Sequence, residues 1–271
     1  MAKLTRRQFI KTLSLGAAAG VGVATYSRDD ANWLSLEHTE LKLPRWDVDG
    51  FRVALVADLH MDNEAEFRRA HRAVSMAANE KPDVLIIGGD FVNHSNPEYL
   101  NRVTRVLEPL AGTPFPCLAV LGNHDYACQN PRELMDTIRK SSVRLMRNEI
   151  AEVGGVSIAG LDDATIHREK YDFFPKDTVS KSCLVVLHEP DYVRNMPDHA
   201  SLQVSGHTHG GQVCLPFGYA MHTPRGGRDY ISGYYPNAKV PLYVTRGVGT
   251  VGVDYRLFCR PEVSILTLRS A

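Results

Sequence analysis

Five short stretches of this chain end an apolar run on residues able to bind a cation or move a proton. They are ADLH with Asp58 and His60, GGD with Asp90, GNHD with Asn123, His124 and Asp125, LHEP with His188, and GHTH with His207 and His209. Taken singly, each is weak: a strand-end Asp commonly caps a helix or turns the chain, and a lone His commonly packs in a core. Taken together they form an oxygen-and-nitrogen donor set of the size two metal ions need. Carboxylate and imidazole without thiolate suit Zn, Mn or Fe. A carboxylate among them can also bridge two cations that neutral imidazoles could not hold close together.

Elements that position such residues are legible around them. FRVALVADLH reads as a strand. EAEFRRAHRAVSMAANE places Phe67, Ala70, Val74 and Ala77 at helical spacing, and Pro82 follows that helix. DVLIIGGDF is a second apolar strand, RVTRVLEPL a helix, CLAVLGNHD a third strand, and PRELMDTIRK a helix opening on proline. VGGVSIAGLDD, SCLVVLHEP and SLQVSGHTHG follow as strand-then-loop units, and LYVTRGVG and EVSILTLR close the chain. Alternating strands and helices in the first half, and strands in the second, predict an α/β fold with parallel or mixed sheets. In such sheets functional residues gather where the carboxyl ends of strands meet loops, which is where all five stretches stop. Glycines before Asp90, Asn123 and His207 allow the backbone to turn sharply there.

The order D-x-H, G-D, G-N-H-[DE], H, G-H-x-H resembles that of the calcineurin-like metallophosphoesterases, from about Phe51 to the C-terminus. GHTHGGQ and the later TRGVG and CRPEV are similar to its exported bacterial subgroup, typified by the YaeI and YkuE phosphodiesterases. The resemblance implies a four-layer αββα sandwich of two mixed β-sheets flanked by helices. It implies one metal at Asp58, His60, Asp90 and His209, and a second at Asp90, Asn123, His188 and His207, with Asp90 bridging. A water or hydroxide between two divalent ions (Mn, Zn or Fe) would be the nucleophile. His124, beside a ligand but outside the ligand set, would protonate the leaving oxygen or stabilise phosphoryl charge. The protein-phosphatase members carry G-D-x-x-D-R-G, whereas here GDFVNHS has Asn93 in place of the second Asp and no following Arg. That departure argues against a protein-phosphatase role and leaves Asp125 or a backbone carbonyl to orient His124. Arg225 and Arg228, in the long Gly-rich loop after GHTHGGQ, are candidates to meet a substrate phosphate, with an ordinary surface loop as the alternative.

The N-terminus points to export. Arg6 and Arg7 precede Phe9 and Lys11, and a 16-residue uncharged stretch, TLSLGAAAGVGVATYS, follows. This order resembles a twin-arginine signal, and the stretch is short for a membrane-spanning helix. The expected organisation is a signal or anchor over 1–27, a linker over 28–46 and one catalytic domain over 47–271. Expected partners are the export machinery and a phosphoester substrate, membrane- or envelope-associated at the periplasmic side or outer face of the cytoplasmic membrane. Five cysteines without C-x-x-C spacing suit a chain that folds before export, as that resemblance implies. With 31 basic and 31 acidic residues the formal net charge is zero, which gives no electrostatic footprint for a nucleic-acid partner. Arg68, Arg69 and Arg72 lie opposite the apolar stripe of their helix, suited to a solvated face paired with Glu64 or to anionic headgroups. Two rivals stand beside the phosphodiesterase reading: a UDP-diacylglucosamine-type pyrophosphatase of lipid A synthesis, against which export counts, and a non-catalytic metal-binding scaffold or metal carrier on the same fold.

Overall fold

The structure, a computed structural model, describes residues 27, 30–93, 98–172 and 182–271. The signal expected over 1–27 lies outside the described residues apart from Ser27.

The first sheet is built from β1 (Ser35–Leu43), β2 (Phe51–Val56), β3 (Val84–Ile87), β4 (Cys117–Ala119), β5 (Arg144–Leu145) and the last strand, β14 (Glu262–Ser270), in the order β1-β14-β2-β3-β4-β5. β2 to β5 run parallel, β14 is antiparallel to β2, and β1 is parallel to β14. Between these strands lie helices α1 (Glu64–Asn79), α2 (Tyr99–Leu107), the single turn α3 (Asn123–Ala127) and α4 (Pro131–Arg139). The second sheet takes β6 (Glu149–Val153), β7 (Val156–Gly160), β8 (Cys183–Val186), β9 (Leu202–Ser205), β12 (Gly233–Tyr235) and β13 (Leu242–Val244), in the order β12-β13-β9-β8-β7-β6. β7, β8, β9 and β13 are parallel to their neighbours in that run. A small hairpin of β10 (Cys214–Leu215) and β11 (Tyr219–Ala220) stands outside both sheets.

Strand periodicity explains the layering. Successive side chains of a strand point to opposite faces. Val53, Leu55, Val84 and Ile86 therefore meet Ile158, Leu184, Val186 and Val204 between the two sheets. Ala54, Val56, Leu85 and Ile87 instead meet Phe67, Ala70, Val74, Val103, Val106, Leu134 and Ile138 of the helices. The sandwich of two mixed sheets flanked by helices is the expected fold. Among the described residues, the outer face of the second sheet is covered by the 3-10 turn Pro190–Asn195 and loops carrying Met196, Ala200 and Val240.

α1 opens as its sequence directs. Asn63 accepts from Ala65 N and Glu66 N while Glu66 reaches back to Asn63 N, a reciprocal cap. Its predicted stripe is buried, and Arg68 faces Glu64 at 3.6 Å. Arg69 departs from the solvated face: it is buried and donates toward Ala31 O and Thr250 Oγ1. All five cysteines are buried free thiols.

One boundary is corrected. The expected linker over 28–46 contains β1, whose nine residues pair in register with Glu262 to Ser270, so the folded domain begins at least twelve residues before position 47. Only Leu41 and Leu43 of β1 are fully buried, and Glu37 with the alternately exposed His38, Glu40 and Lys42 gives it the composition of a linker.

Candidate metal centre and its family

The carboxyl ends of β2, β3 and β4 in one sheet and of β8 and β9 in the other converge on one edge of the sandwich, and each delivers its polar residues there. Asp58, His60 and His209 form one group and Asp90, His188 and His207 another, with ligand atoms in each group all within 4.8 Å of one another. All six are buried. Five of the seven ligand candidates have left-handed backbones: Asp58 (φ 56°), His60 (43°), Asp90 (56°), His207 (72°) and His209 (52°). This conformation costs a non-glycine residue about 1 kcal/mol or more, and such costs cluster where function fixes the geometry.

Hydrogen bonds settle which ring nitrogens are free. A carbonyl can only accept, so His188 Nδ1 donates to Gly88 O at 2.7 Å and leaves the Nε2 lone pair for a cation. His207 Nε2 donates to Arg225 O at 2.9 Å and leaves Nδ1. His60 Nε2 and His209 Nε2 face each other at 3.1 Å. Asp90 Oδ2 is 3.5 Å from His60 Nε2 and 3.1 Å from His188 Nε2, so one oxygen serves both groups. Its other oxygen accepts from His124 N at 2.9 Å. Asp58 Oδ1 accepts from His207 N, whereas Asp58 Oδ2, Asn123 Oδ1 and His188 Nε2 are buried without any hydrogen-bond partner. Buried acceptors left open in this way are costly unless a cation satisfies them, so the donor set fits two divalent ions.

The electrostatics agree. Burial pulls the imidazoles of His60 to about 3 and of His207 to about 4, and moves His209 well down, keeping all three neutral with lone pairs available. Burial likewise raises Asp58, to about 7. For Asp90 burial works upward, but the imidazoles of His188, His60 and His124 overturn it and hold the carboxyl well below its ordinary range. His188 is the converse: burial works downward, and the Asp90, Asp58 and Glu189 carboxylates drive it well above its ordinary value.

Close approach excludes side chains at two glycines. A Cβ on Gly206 would lie 2.6 Å from Asp58 Oδ2, and one on Gly122 would lie 2.7 Å from His188 Nε2 and collide with Asp90 Oδ1. In GHTHGGQ, Thr208 turns away from both groups to donate to Ile231 O at 2.6 Å, while the two histidines join different groups.

Two expectations are corrected. Asp125 is no partner for His124. Its fully buried carboxylate accepts from four backbone N–H groups: Asp90 and Gly122 on Oδ2, at 2.9 and 3.0 Å, and Phe91 and Val92 on Oδ1, at 2.8 and 3.3 Å. It pins the β3 loop to the β4 loop, and His124 Nδ1 faces a backbone carbonyl, Asn93 O, at 3.5 Å, the other partner the sequence left open. Arg225 and Arg228 do not line the cavity over the metal groups. Asp191 accepts the backbone N–H groups of Arg228, Asp229 and Tyr230, and this turn puts both arginines in a separate depression with Asp191 and Asp229.

The site cavity, about 300 Å³, is bounded by Asp90, Asn123, His124, His207 and His209, and by Gln212, Val213, His222, Val251 and Val253. Its second wall escaped the sequence reading. Gln212 builds it by donating to Val251 O and Val253 O and accepting from Val251 N, and its place at the end of GHTHGGQ is the signal that marks it. Arg256 was also missed: it is fully buried and donates to the carbonyls of His209, Arg246, Gly247 and Gly249, fixing the GHTH loop from beneath.

A sequence model described as Calcineurin-like phosphoesterase matches residues 51–211, the span from β2 through GHTHGG. The chain belongs to the calcineurin-like phosphoesterase family. Relatives of this metallophosphoesterase extend over nearly its whole length. The metallophosphoesterase YkuE of Bacillus subtilis is 28% identical over 288 residues, covering 100% of this chain and 99% of that protein. Phosphodiesterase YaeI of Escherichia coli is 26% identical over 272 residues, covering 98% and 99%. The UDP-2,3-diacylglucosamine pyrophosphatase LpxG of Chlamydia muridarum is 25% identical over 323 residues, covering 94% and 96%.

Proposed function

We propose that this metallophosphoesterase is a two-metal phosphodiesterase that hydrolyses phosphodiester or pyrophosphate bonds of an envelope-associated substrate. The observation that carries this reading is the single Asp90 oxygen facing two groups of buried, unsatisfied donors. Asp58, His60, Asp90 and His209 would hold one ion, and Asp90, Asn123, His188 and His207 the other. Mn, Zn or Fe fits this oxygen-and-nitrogen set. When bound, the two ions supply Lewis-acid chemistry to the phosphoryl oxygens and neutralise charge that grows during in-line displacement.

The chain's own residues do the rest. Asp90 holds His124 N, so the loop that carries one ligand also fixes the imidazole beside it. His124, half-buried at the cavity wall, is placed to give a proton to the leaving alkoxide, with Nδ1 toward Asn93 O and Nε2 left for the substrate. The buried ligand set limits water at the reacting phosphorus, which strengthens each electrostatic contact there.

The twin-arginine-like N-terminal sequence supports export to the periplasmic side or the outer face of the cytoplasmic membrane. The similarity to LpxG favours a second reading, cleavage of a nucleotide-linked acylated sugar. The same N-terminal sequence weighs against it, because such nucleotides are cytoplasmic.

The test compares wild type with Asp90→Asn on a soluble aryl phosphodiester with Mn²⁺, alongside metal analysis of both proteins. We expect about two metal ions per wild-type chain and a loss of at least 100-fold in turnover for the variant, a size typical for loss of a central electrostatic group. Equal activity in the two proteins refutes the reading. Metal bound without turnover on any phosphoester supports the scaffold or carrier.

A further inference from the structure

The β10–β11 hairpin turns apolar side chains to water. Leu215 is 53% exposed, Tyr219 71%, Met221 65%, and Phe217 at its tip 99%. Phe217 also sits at φ 72°, a backbone conformation that bulky L side chains rarely adopt, although Gly218 beside it takes one freely. The chain thus keeps a large aromatic side chain in water at a strained turn. Exposed apolar groups gathered in this way mark an interaction surface.

The neighbouring loop extends the patch with exposed Val253, Tyr255 and Phe258. Hairpin and loop are fastened together, since Cys214 N donates to Leu257 O and Leu257 N to Gln212 O. The N-terminal part of the chain packs on the same loop. Arg256 N donates to Ser27 O, and Arg260 pairs with Asp30 and stacks at 3.9 Å on Trp33, itself 61% exposed. Ser27 is the last residue of the 16-residue uncharged stretch that follows the paired arginines. Ser27 therefore lies on the side of the domain that carries the patch.

Basic charge flanks the same segment. Arg69 and Arg72 of α1 donate to Ala31 O and Asn32 O. With Arg68 and Arg105 they line a groove of about 700 Å³ that also carries Glu108. Arg69 is buried in its floor, and Glu64 faces Arg68 at 3.6 Å and Arg105 at 4.0 Å, so Arg72 is joined by two partly paired arginines in giving the groove its basic excess. The site cavity opens here too: Gln212, Val213 and His222, at the two roots of the hairpin, belong to its wall, as does Val253 of the patch.

We infer that this face docks on an anionic lipid bilayer, with the Phe217 hairpin entering the boundary of the hydrocarbon and the arginine groove meeting acidic headgroups. The metal cavity then opens against the membrane, and its substrate is a phosphodiester carried on a lipid. Aromatic side chains favour the membrane interface, and adjacent cationic side chains add attraction to acidic lipids. Water adds across one P–O bond, giving a phosphomonoester and an alcohol that takes the proton. The substrate half rests on the proposed phosphodiesterase reading; the docking half does not.

The test uses the full chain carrying Phe217→Trp and Trp33→Phe, with buried Trp46 as a constant baseline. Vesicles contain phosphatidylcholine with a quarter of phosphatidylglycerol and brominated acyl chains. The added tryptophan should shift to the blue and lose at least half its emission, and the effect should shrink when phosphatidylglycerol is omitted. Emission unchanged by vesicles, whether or not the protein co-sediments, overturns the docking. Emission already blue-shifted without lipid, in a protein that sediments as a dimer, assigns the patch to a second copy of the chain and overturns it too. Asp90→Asn in the same background should insert normally while losing hydrolysis, which separates this inference from the catalytic reading. For the substrate half, Phe217→Asp should leave turnover of a soluble aryl phosphodiester unchanged and cut turnover of a diacylglycerol-linked aryl phosphodiester in vesicles about tenfold. Equal retention of both activities overturns it.

Discussion

Replacing Asp125 by Asn separates two roles that a carboxylate beside a catalytic histidine can play. The amide is nearly isosteric, and one of its positions can still accept from Phe91 N and Val92 N. The other becomes an NH2 group facing Asp90 N and Gly122 N, donor against donor, where the carboxylate now accepts at 2.9 and 3.0 Å. Two buried hydrogen bonds to a charged acceptor are lost, at about 1.5–3 kcal/mol each, so the fold should weaken by roughly 3–6 kcal/mol. That is a large share of the ~5–15 kcal/mol that holds a typical domain. For a chain near this size each kcal/mol moves Tm by about 2–4 °C, so the expected fall is roughly 6–24 °C. Calorimetry of chelator-treated protein at about pH 9 is the proper assay: bound ions would add their own stabilisation to both proteins, and burial, with Asp90 next, raises the Asp125 carboxyl to about 8, so it carries its charge there. If Tm is unchanged while turnover falls and its pH profile shifts, Asp125 acts through His124 and the clamp is refuted.

Two further outcomes follow from close contacts and from burial. Gly206→Ala would press a methyl group on Asp58 Oδ2, so Mn²⁺ affinity should fall about 10- to 100-fold, the range found when support of a metal ligand is disturbed; titration calorimetry giving wild-type affinity would contradict this. Burial, with Asp254 next, raises the Glu66 carboxyl from 4.5 to about 7. The folded protein then binds more protons than the unfolded chain across that interval, so stability from this group is lost as pH climbs from about 4.5 to 7. Melts of the metal-free Glu66→Gln protein at pH 5 and pH 7.5 should show a smaller decline than wild type, and an equal decline would contradict the assignment.

What could be read in the sequence was local and repeated. The five strand ends that carry the candidate ligands each pair an apolar run with polar residues at once after it, and each lies where its strand stops. The stripe of Phe67, Ala70, Val74 and Ala77 was equally plain, because one helix buries one face. β1 was not legible: six of the nine residues from Ser35 to Leu43 are charged or polar, and its partner lies more than 200 residues away. Asp125 misled for a related reason. Adjacency to His124 in sequence suggests a shared proton, yet the start of a helical turn points the two side chains apart, and the carboxylate's partners at residues 90–92 exist only in the fold. Arg225 was credited with its guanidinium, whereas the site uses its carbonyl, an atom every residue possesses and no sequence pattern can flag.

The place of β14 in the first sheet sets an order of events during synthesis. Residues 262–270 lie between β1 and β2, so the two earliest strands of the described fold do not touch each other except through one of the last to be made. A nascent chain can assemble β2 to β5 with their helices, but β1 has no neighbour and β2 keeps an open edge until Ser270 has left the ribosome. A chain cut short before that point would present an unpaired edge, a known route to aggregation. The final strand therefore doubles as a completion signal: the first sheet closes only once translation has passed it.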